Sequence, residues 1–548
     1  MTDPSGVRPS LRLIAGELVN TLATEVDAAA EIAQIALTGR SLRSDPAVKS
    51  DESRDAPSTP RTRIAVVGGG IAGLAAAWSL IRDRGAEADV AVYEASEQVG
   101  GKLRLGNIGG ITVDVGAESM LAVRPEALAL ARSVGLGSSI VHPAVSNAGL
   151  VSRGRLRELP PGLIGGVPTD LRALAASDIL SLPGLLRIPF DQILPRTTID
   201  VDVSVGDYVA TRMGREVVER LVEPLLGGVY AGRSEELSLE MAVPALFRLA
   251  RRERSLLSAA REARATGAAP SGARRGPVFA GISGGVGRLP VALAERLHRK
   301  GATIEVNATV TGLRRTAAGW GLLVDQAGES RRIVADVVIL AVPAPAAAKL
   351  LRRVHAEAST LLGTVDYANV ALATLLYEPR AVPESLQGSG FLVPPVEGLA
   401  VKAATYSSRK WAWVARAGVG GKQAKGQRRR NYMVVRASLG RYGELQALQH
   451  DDTELVELAA KELHQISGLP ERPLVAEVTR WGGALPQYTV GHRGRVAKVR
   501  ELLVDTPGLA VCGAAYDGVG IAACIGSAQF AAGQVAAYLS ERGQWAHG

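Results

Sequence analysis

The chain has 548 residues, 47% of them apolar and 4% aromatic, enough for two or three domains with sizeable cores. It carries a net charge of +9 and only two cysteines, Cys512 and Cys524, which excludes a disulfide framework and a Cys-rich zinc or iron–sulfur site. No run of about 18 residues is continuously apolar, and the start MTDPSGVRPSLRLIAGELVN lacks the layout of a signal peptide, so a cytoplasmic protein without a membrane span is expected.

Residues 1 to about 40 place Leu, Val and Ile at helical intervals, and the polar, Pro-containing stretch SLRSDPAVKSDESRDAPSTP reads as a disordered linker. The ordered part is expected to begin near Arg61. There RIAVVGGGIAGLAAAWSL runs from an apolar, β-branched strand through Gly68, Gly70 and Gly73 into a helix. The spacing is G-x-G-x-x-G. The first glycine allows a tight turn, the second lets backbone approach a pyrophosphate, and the third packs helix on strand. Free N–H groups and the helix dipole favour the anion. An acid at the end of the next strand is the confirming feature, and ADVAVYEAS supplies Glu94. Its carboxylate suits two ribose hydroxyls and repels a 2′-phosphate.

After Glu94, EQVGGKLRLGNIGGITVDVGAESML contains the pair Gly100-Gly101 and a short hairpin. Residues 159 to 257 carry helical patterns broken by prolines. Strands return at IEVNATVTGLRRT and ADVVILAVP, and the stretch from about 364 to 440 alternates like a sheet. A helix at TELVELAAKELHQIS, a strand at LVAEVTRW and a final strand–glycine turn–helix at GLAVCGAAYDGVGIAACIGSAQFAAGQVAAYL complete the pass. Strands of the nucleotide-binding half recur near 65, 90, 304, 338 and 510. The expectation is therefore an α/β protein with a Rossmann-like domain assembled from discontinuous segments, a mixed α+β substrate domain and a mainly helical insertion. The expected division is 61–121, 277–346 and 498–541 for the nucleotide domain; 122–158, 258–276 and 347–497 for the substrate domain; 159–257 for the insertion; and 1–60 as an appendage.

Two basic stretches, Phe247 to Gly267 and Gly420 to Arg430, lack interleaved aromatics, so a solvated helix face and a loop are expected and nucleic-acid binding is not. His142, His355, His450, His464 and His492 are scattered without metal-ligand spacing. LSLPGLLRIPFDQILP, Leu180 to Pro195, allows at most peripheral membrane contact, with packing inside the helical insertion the stronger expectation.

The glycine motif with its Glu, EQVGGKLRL and AVCGAAYDGVGIAACIGSAQFAA resemble the FAD-dependent amine oxidase superfamily. LVEPLLGGVYAGRSEELSLEMAVPAL, FAGISGGVGRLPVALAERL and VTRWGGALPQYTVGHRGRV resemble its protoporphyrinogen/coproporphyrinogen III oxidase branch, over about Arg61 to Leu539. The Ala- and Arg-rich composition resembles actinobacterial members, which act on coproporphyrinogen III. The resemblance implies FAD, molecular oxygen as acceptor, hydrogen peroxide as by-product and a place in haem biosynthesis. Transient contact with a ferrochelatase-type enzyme is compatible with it. It implies no catalytic acid–base pair, no metal and no covalent flavin.

By the same resemblance, Gly68, Gly69, Gly70, Ile71, Ala72, Gly73 and Leu74 cradle the pyrophosphate, and Glu94 with Ala95 meets the ribose. Lys102 lies by the flavin, Gly116, Ala117, Glu118 and Ser119 run under it, and backbone at Val310 meets the adenine. Relatives often have Pro where Ala117 stands. Trp481 sits at the flavin edge, and Gly518, Val519, Gly520 and Ile521 present backbone N–H groups to it. Four propionates call for cations, for which Lys402, Arg409, Lys410 and Arg436 are candidates whose facing depends on strand register. The alternatives are oxidation of protoporphyrinogen IX, an amine oxidase, a carotenoid-type desaturase and a non-catalytic porphyrin-binding flavoprotein.

Overall fold

The β-branched run Thr62–Val67 lies at the centre of a parallel sheet, where both faces of a strand are covered and a continuous apolar sequence is required. The computed structural model describes residues 61–84, 88–266, 277–419 and 431–543. The expectations for residues 1–60 and for the basic stretch 420–430 lie outside them. The sheet order is Thr303–Glu305, Ala88–Tyr93, Thr62–Val67, Val337–Leu340, Leu509–Val511. Five strands from distant parts of the chain thus share one sheet.

Successive side chains of the central strand enter different cores, as the strand period of two demands. Ile64 and Val66 pack with the helices Ile71–Arg84, Arg288–Arg299 and Ile521–Glu541. Ala65 and Val67 pack on the other side with Trp320, the helices Ala344–Leu351 and Ala356–Gly363, and Val496 and Val499 of His492–Val504. Trp320 is fully buried in a three-stranded antiparallel sheet made of Ala308–Thr316, Gly319–Gln326 and Glu329–Ala335.

A second, mixed sheet has seven strands in the order Val475–Pro486, Tyr367–Tyr377, Met433–Leu439, Val401–Thr405, Gly390–Leu392, Gly149–Ser152, Arg155–Glu158. One face, with Ala371, Ala373, Leu375, Val435 and Ala437, packs beneath the helix Asp452–Ser467. That helix has a full capping box from Asp451 and Glu454 and stops at Gly468 in the left-handed conformation. On the other face, Leu376 and Val434 meet Trp411, Trp413 and the hairpin Leu105–Ile108/Ile111–Asp114. Ala403, Thr405 and Ser438 on that face stay half-buried.

The helical region has its own core, which includes Leu221, Val222, Leu246, Leu256 and Leu257. Its helix Leu256–Thr266 runs past the boundary expected at 257, because Leu256, Leu257, Ala259, Ala260 and Ala263 are its buried stripe. The basic stretch from Phe247 is two helices, Pro244–Ala250 and Leu256–Thr266, rather than one. Two short helices, Ser407–Lys410 and Ala412–Gly418, interrupt the stretch whose alternation resembles a sheet throughout.

Candidate active site

The Gly68–Gly73 turn differs from residue to residue in what surrounds it. Gly68 has φ of +106°, and an added Cβ would meet Ala341 O at 2.6 Å. A Cβ on Gly73 would overlap Gly68 O, so the third glycine closes helix onto strand. A Cβ on Gly70 would meet no protein atom within 4 Å. That position faces open space at the start of Ile71–Arg84, where first-turn amides have no carbonyl one turn back. Shape and donors both fit a pyrophosphate.

Glu94 follows the strand Ala88–Tyr93 and closes the same turn. Its Oε2 accepts from Gly69 N at 2.7 Å, and its Oε1 accepts from Ser96 N at 2.8 Å and Ser96 Oγ at 2.7 Å. The carboxylate therefore braces the turn and keeps one acceptor site on Oε2 for a ligand. Backbone bonds from Glu94 N to Glu305 O, Ala308 N to Glu94 O and Asn307 N to Ser96 O draw the Val310 strand against it. Ala95 lies within this loop. Leu74 N donates to Gly70 O, which starts the helix.

Gly100 N bonds Gly69 O, so the double glycine lies beside the first turn. Lys102 follows. Burial lowers the pKa of its ammonium, which has the Cys524 thiol as a neighbour. Cys524 lies in the first turn of Ile521–Glu541, whose N-cap Gly520 makes no side-chain cap. Gly518 has φ of +137°, and a Cβ on Gly520 would meet nothing within 4 Å. Val519 turns away onto the helical region's core. A second uncapped helix start and a half-buried cation thus converge. Burial pushes the Cys524 thiol up to about 12 and Cys512 upward too, so neither is a ready nucleophile.

Gly116 packs where a Cβ would meet Trp481 Cζ2 at 3.2 Å, and Trp481 Nε1 donates to Val115 O at 2.9 Å. Trp481 pairs with Val370 on the seven-stranded sheet. This joins that sheet to the segment Gly116, Ala117, Glu118, Ser119. Ala117 N donates to Lys102 O at 3.0 Å, tying the segment to the lysine.

Glu118 gathers two of the four cation candidates. Lys410 Nζ lies 2.7 Å from its Oε1, Arg436 Nη1 2.8 Å from its Oε2, and Ser407 Oγ donates at 3.1 Å. Arg436 Nη2 also donates to Gly116 O at 2.5 Å. Burial opposes ionisation of Glu118, but the charges of Lys410 and Arg436 together outweigh it and hold the carboxyl down at about 2. The other two candidates stand apart: Lys402 pairs with Glu444 at 2.7 Å, and Arg409 Nε donates to Gly388 O at 3.3 Å.

Three groups are absent from the sequence reading. Asp114 accepts from Val286 N at 3.0 Å and Gly287 N at 2.9 Å beside this cluster, and burial pushes it up to about 7 against those two bonds. Its place in DVGAES, four residues before Glu118, was the available sign. Tyr488 stacks on His492 at 4.5 Å, Tyr488 Oη donates to Ala514 O, and His492 Nε2 lies 2.8 Å from Ala515 O, which pins the loop ahead of Gly518. Burial lowers His492 to about 4. Arg104 lies over the Trp481 ring at 5.7 Å. His142, His450 and His464 face Phe279 O, Glu454 and Leu469 O, and His355 caps a helix.

The model of the flavin containing amine oxidoreductase family matches residues 71–536. The chain belongs to that family. FAD is its cofactor, and the open glycine turn, Glu94 and the uncapped helix start fit that group. Among curated relatives, coproporphyrinogen III oxidase of Mycobacterium tuberculosis (strain ATCC 25618 / H37Rv) is 36% identical over 476 residues, covering 86% of this chain and 96% of the relative. Coproporphyrinogen III oxidase of Bacillus subtilis (strain 168) is 29% identical over 488 residues, covering 88% and 99%. A crystal structure from Exiguobacterium sp. 255-15 superposes with a TM-score of 0.74 at 28% identity, covering 87% of this chain and 99% of that one. The fold is similar to that of cyclohexylamine oxidase of Brevibacterium oxydans, at a TM-score of 0.62 and 16% identity over 88% of this chain and all of that one.

Proposed function

We propose that the chain is an FAD-dependent oxidase that converts coproporphyrinogen III to coproporphyrin III in haem biosynthesis. Three two-electron oxidations reduce three molecules of oxygen to hydrogen peroxide. When bound, FAD would supply the two-electron acceptor for each oxidation of the macrocycle. The observation that carries the reading is the junction at Trp481, where the Gly116–Ser119 segment, tied through Lys102 and Gly100 to the glycine turn, meets a broad sheet face bearing small, half-buried Ala403, Thr405 and Ser438.

In this reading, residues 61–121, 277–346 and 498–541 form the Rossmann-like cofactor domain. The amides from Gly70 to Gly73 hold the pyrophosphate, Glu94 the ribose, and Val310 backbone the adenine. Lys102 and the amides at Gly518–Ile521 place positive charge by the isoalloxazine, while Gly116–Ser119 and Trp481 bound it. Of the four cations, Arg409 is free of a carboxylate partner among the described residues, and the Glu118 cluster retains one surplus positive charge. These are the proposed propionate contacts. Among the described residues no helix is long and apolar enough to cross a membrane.

A relative from Oryza sativa named chloroplastic protoporphyrinogen oxidase, 28% identical over 516 residues, keeps protoporphyrinogen IX as the second reading. Incubation with each porphyrinogen, followed by porphyrin fluorescence and oxygen uptake, separates them. Coproporphyrinogen III is expected to react faster, with peroxide released. A tenfold preference for protoporphyrinogen IX would reverse the substrate assignment and leave the oxidase in place.

A further inference from the structure

The loop that carries the second uncapped helix start is gripped at several atoms by one short stretch of chain. Tyr488 stacks on His492 with ring centroids 4.5 Å apart, and its hydroxyl donates to Ala514 O. His492 Nε2 lies 2.8 Å from Ala515 O. Arg495 Nη1 faces His492 Nδ1 at 3.4 Å, which puts the ring proton on Nε2, so the imidazole donates to the carbonyl. Arg500 holds the Asp517 carboxylate with both terminal nitrogens, at 3.0 and 2.6 Å. These grips all fall within the four residues that precede Gly518.

The helix His492–Val504 turns these contacts into a ruler. His492, Val496, Val499 and Leu503 are its buried stripe. Val496, Val499 and Leu503 share a core with Ala515 and Tyr516. His492 and Arg500 stand about 12 Å apart along the axis, so one rigid element fixes the loop from Ala515 to Asp517. Gly513 N donates to Ser527 Oγ at 3.2 Å, which ties the loop's entry to the helix it leads into. Only Gly518, Val519 and Gly520 then separate the gripped residues from Ile521–Glu541.

The ruler is itself fastened to the helical region. Asp202 accepts from Gly491 N at 2.8 Å and from Glu240 N at 3.1 Å. Ser238 N donates to Tyr488 O at 2.8 Å, and Val490 N to Glu236 O at 3.1 Å. Gln487 Nε2 donates to Tyr230 O at 3.0 Å, and the Tyr230 ring lies 5.6 Å from that of Tyr488. Tyr488 belongs to the helical region's core, against which Val519 also packs. The motif LPQYTVGH thus spends its polar groups on backbone oxygens of its neighbours, and two of those oxygens lie in the loop ahead of Gly518.

We propose that Tyr488, His492 and Arg500 are positioning residues that aim the amides of Gly518–Ile521 and so set how strongly the protein favours the reduced flavin. The proposal rests on the reading that those amides face the isoalloxazine. An N–H dipole stabilises developing negative charge only along its own direction, and amides held in advance need no reorganisation when electrons arrive. Gly518 and Gly520 bring no side chain that could hold the turn, so its aim must come from the residues before it. A lost grip on Ala514 O or Ala515 O frees a peptide plane without emptying a core.

The two-electron midpoint of the full, FAD-loaded chain, measured by equilibration with a reference dye and without any porphyrinogen, tests this. Tyr488→Phe deletes one oxygen and keeps the stacked ring. It is expected to lower the preference for reduced over oxidised flavin about tenfold, which is about 30 mV. His492→Leu is expected to do the same. His492→Gln, whose amide can still donate to Ala515 O, is expected to stay near the parent value. Lower thermal midpoints with the parent's potential in Tyr488→Phe and His492→Leu would make the residues struts only and overturn the proposal. Gly520→Pro separates the clamp from the site, because it removes one amide proton where φ is −72° and an added Cβ would meet nothing within 4 Å. Altered FAD binding or potential in Gly520→Pro, with an unchanged potential in Tyr488→Phe, overturns the clamp alone. No change in either variant overturns the cofactor-facing reading of the turn as well.

Discussion

Glu94 and Glu118 are both half-buried carboxylates that each accept three side-chain or backbone donors, and they do opposite things. Every donor to Glu94 is neutral: an amide of Gly69, and the amide and hydroxyl of Ser96. Its charge survives and is available to a ligand. Glu118 is met by Lys410 and Arg436, whose charges more than cancel its own. It is a strut that holds Arg436 against Gly116 O and the seven-stranded sheet against the cofactor segment. Neutral donors leave a carboxylate able to bind, and cationic ones turn it into scaffold.

The sharpest way to break this comparison is to remove each acid. Glu118→Ala leaves two cations with little solvent and is expected to lower stability by about 3–5 kcal/mol. A denaturant midpoint unchanged from the parent would show that Lys410 and Arg436 find other partners. Glu94→Ala is expected to weaken FAD by about 1.5–3 kcal/mol while the apoprotein loses less stability than with Glu118→Ala. Equal affinity in a flavin titration would make Glu94 a brace alone.

Acid offers a second discriminator. His492 is held neutral by burial, with its pKa depressed to about 4 from 6.5. The native state thus binds fewer protons than the unfolded chain between those values. The contribution is present above about pH 6.5 and is lost as pH falls toward 4, amounting to about 3 kcal/mol. Thermal midpoints of the parent should therefore fall across that window. The decline should be shallower in His492→Gln, whose amide can still bond Ala515 O. Identical slopes would move the acid sensitivity elsewhere.

Smaller effects sharpen the cofactor side. Gly70→Ala adds a methyl group where no protein atom lies within 4 Å, so apoprotein stability should change by about 0.5–1 kcal/mol at most while FAD affinity falls. Unaltered flavin binding would place the pyrophosphate elsewhere. Deleting residues 1–60 is expected to leave flavin content and oxidase activity nearly unchanged, as measured on the purified truncated protein.

The difference between the two acids also explains what could be read from the sequence. Gly68, Gly70, Gly73 and Glu94 act through local backbone geometry, within 27 residues of chain, and spacing alone exposes them. Strands of the parallel sheet were visible for a related reason, since runs such as RIAVV and ADVVILAVP are apolar on both faces. Glu118 lies 292 residues from Lys410 and 318 from Arg436. Which side of its strand Arg436 occupies depends on pairing with Thr374 and Thr405, and no local pattern contains that register. The same uncertainty covered Lys402, whose partner Glu444 lies beyond the next strand. The helix at Ser407–Lys410 was hidden because KAATYSS already alternates like a strand.

The order of strands in the parallel sheet has a consequence for synthesis. The glycine turn emerges from the ribosome early, but Val337–Leu340 beside it and Leu509–Val511 at the edge come much later. Ile521–Glu541, which shares a core with Ile71–Arg84 and carries the second uncapped start, comes later still. Through most of translation the nascent chain therefore holds out an uncovered apolar helix bearing Ala75, Ala76 and Leu80. A finished flavin site therefore requires Ile521–Glu541. Removal of Ile521–Glu541 would yield not a weakened catalyst but a chain with no finished place for its cofactor.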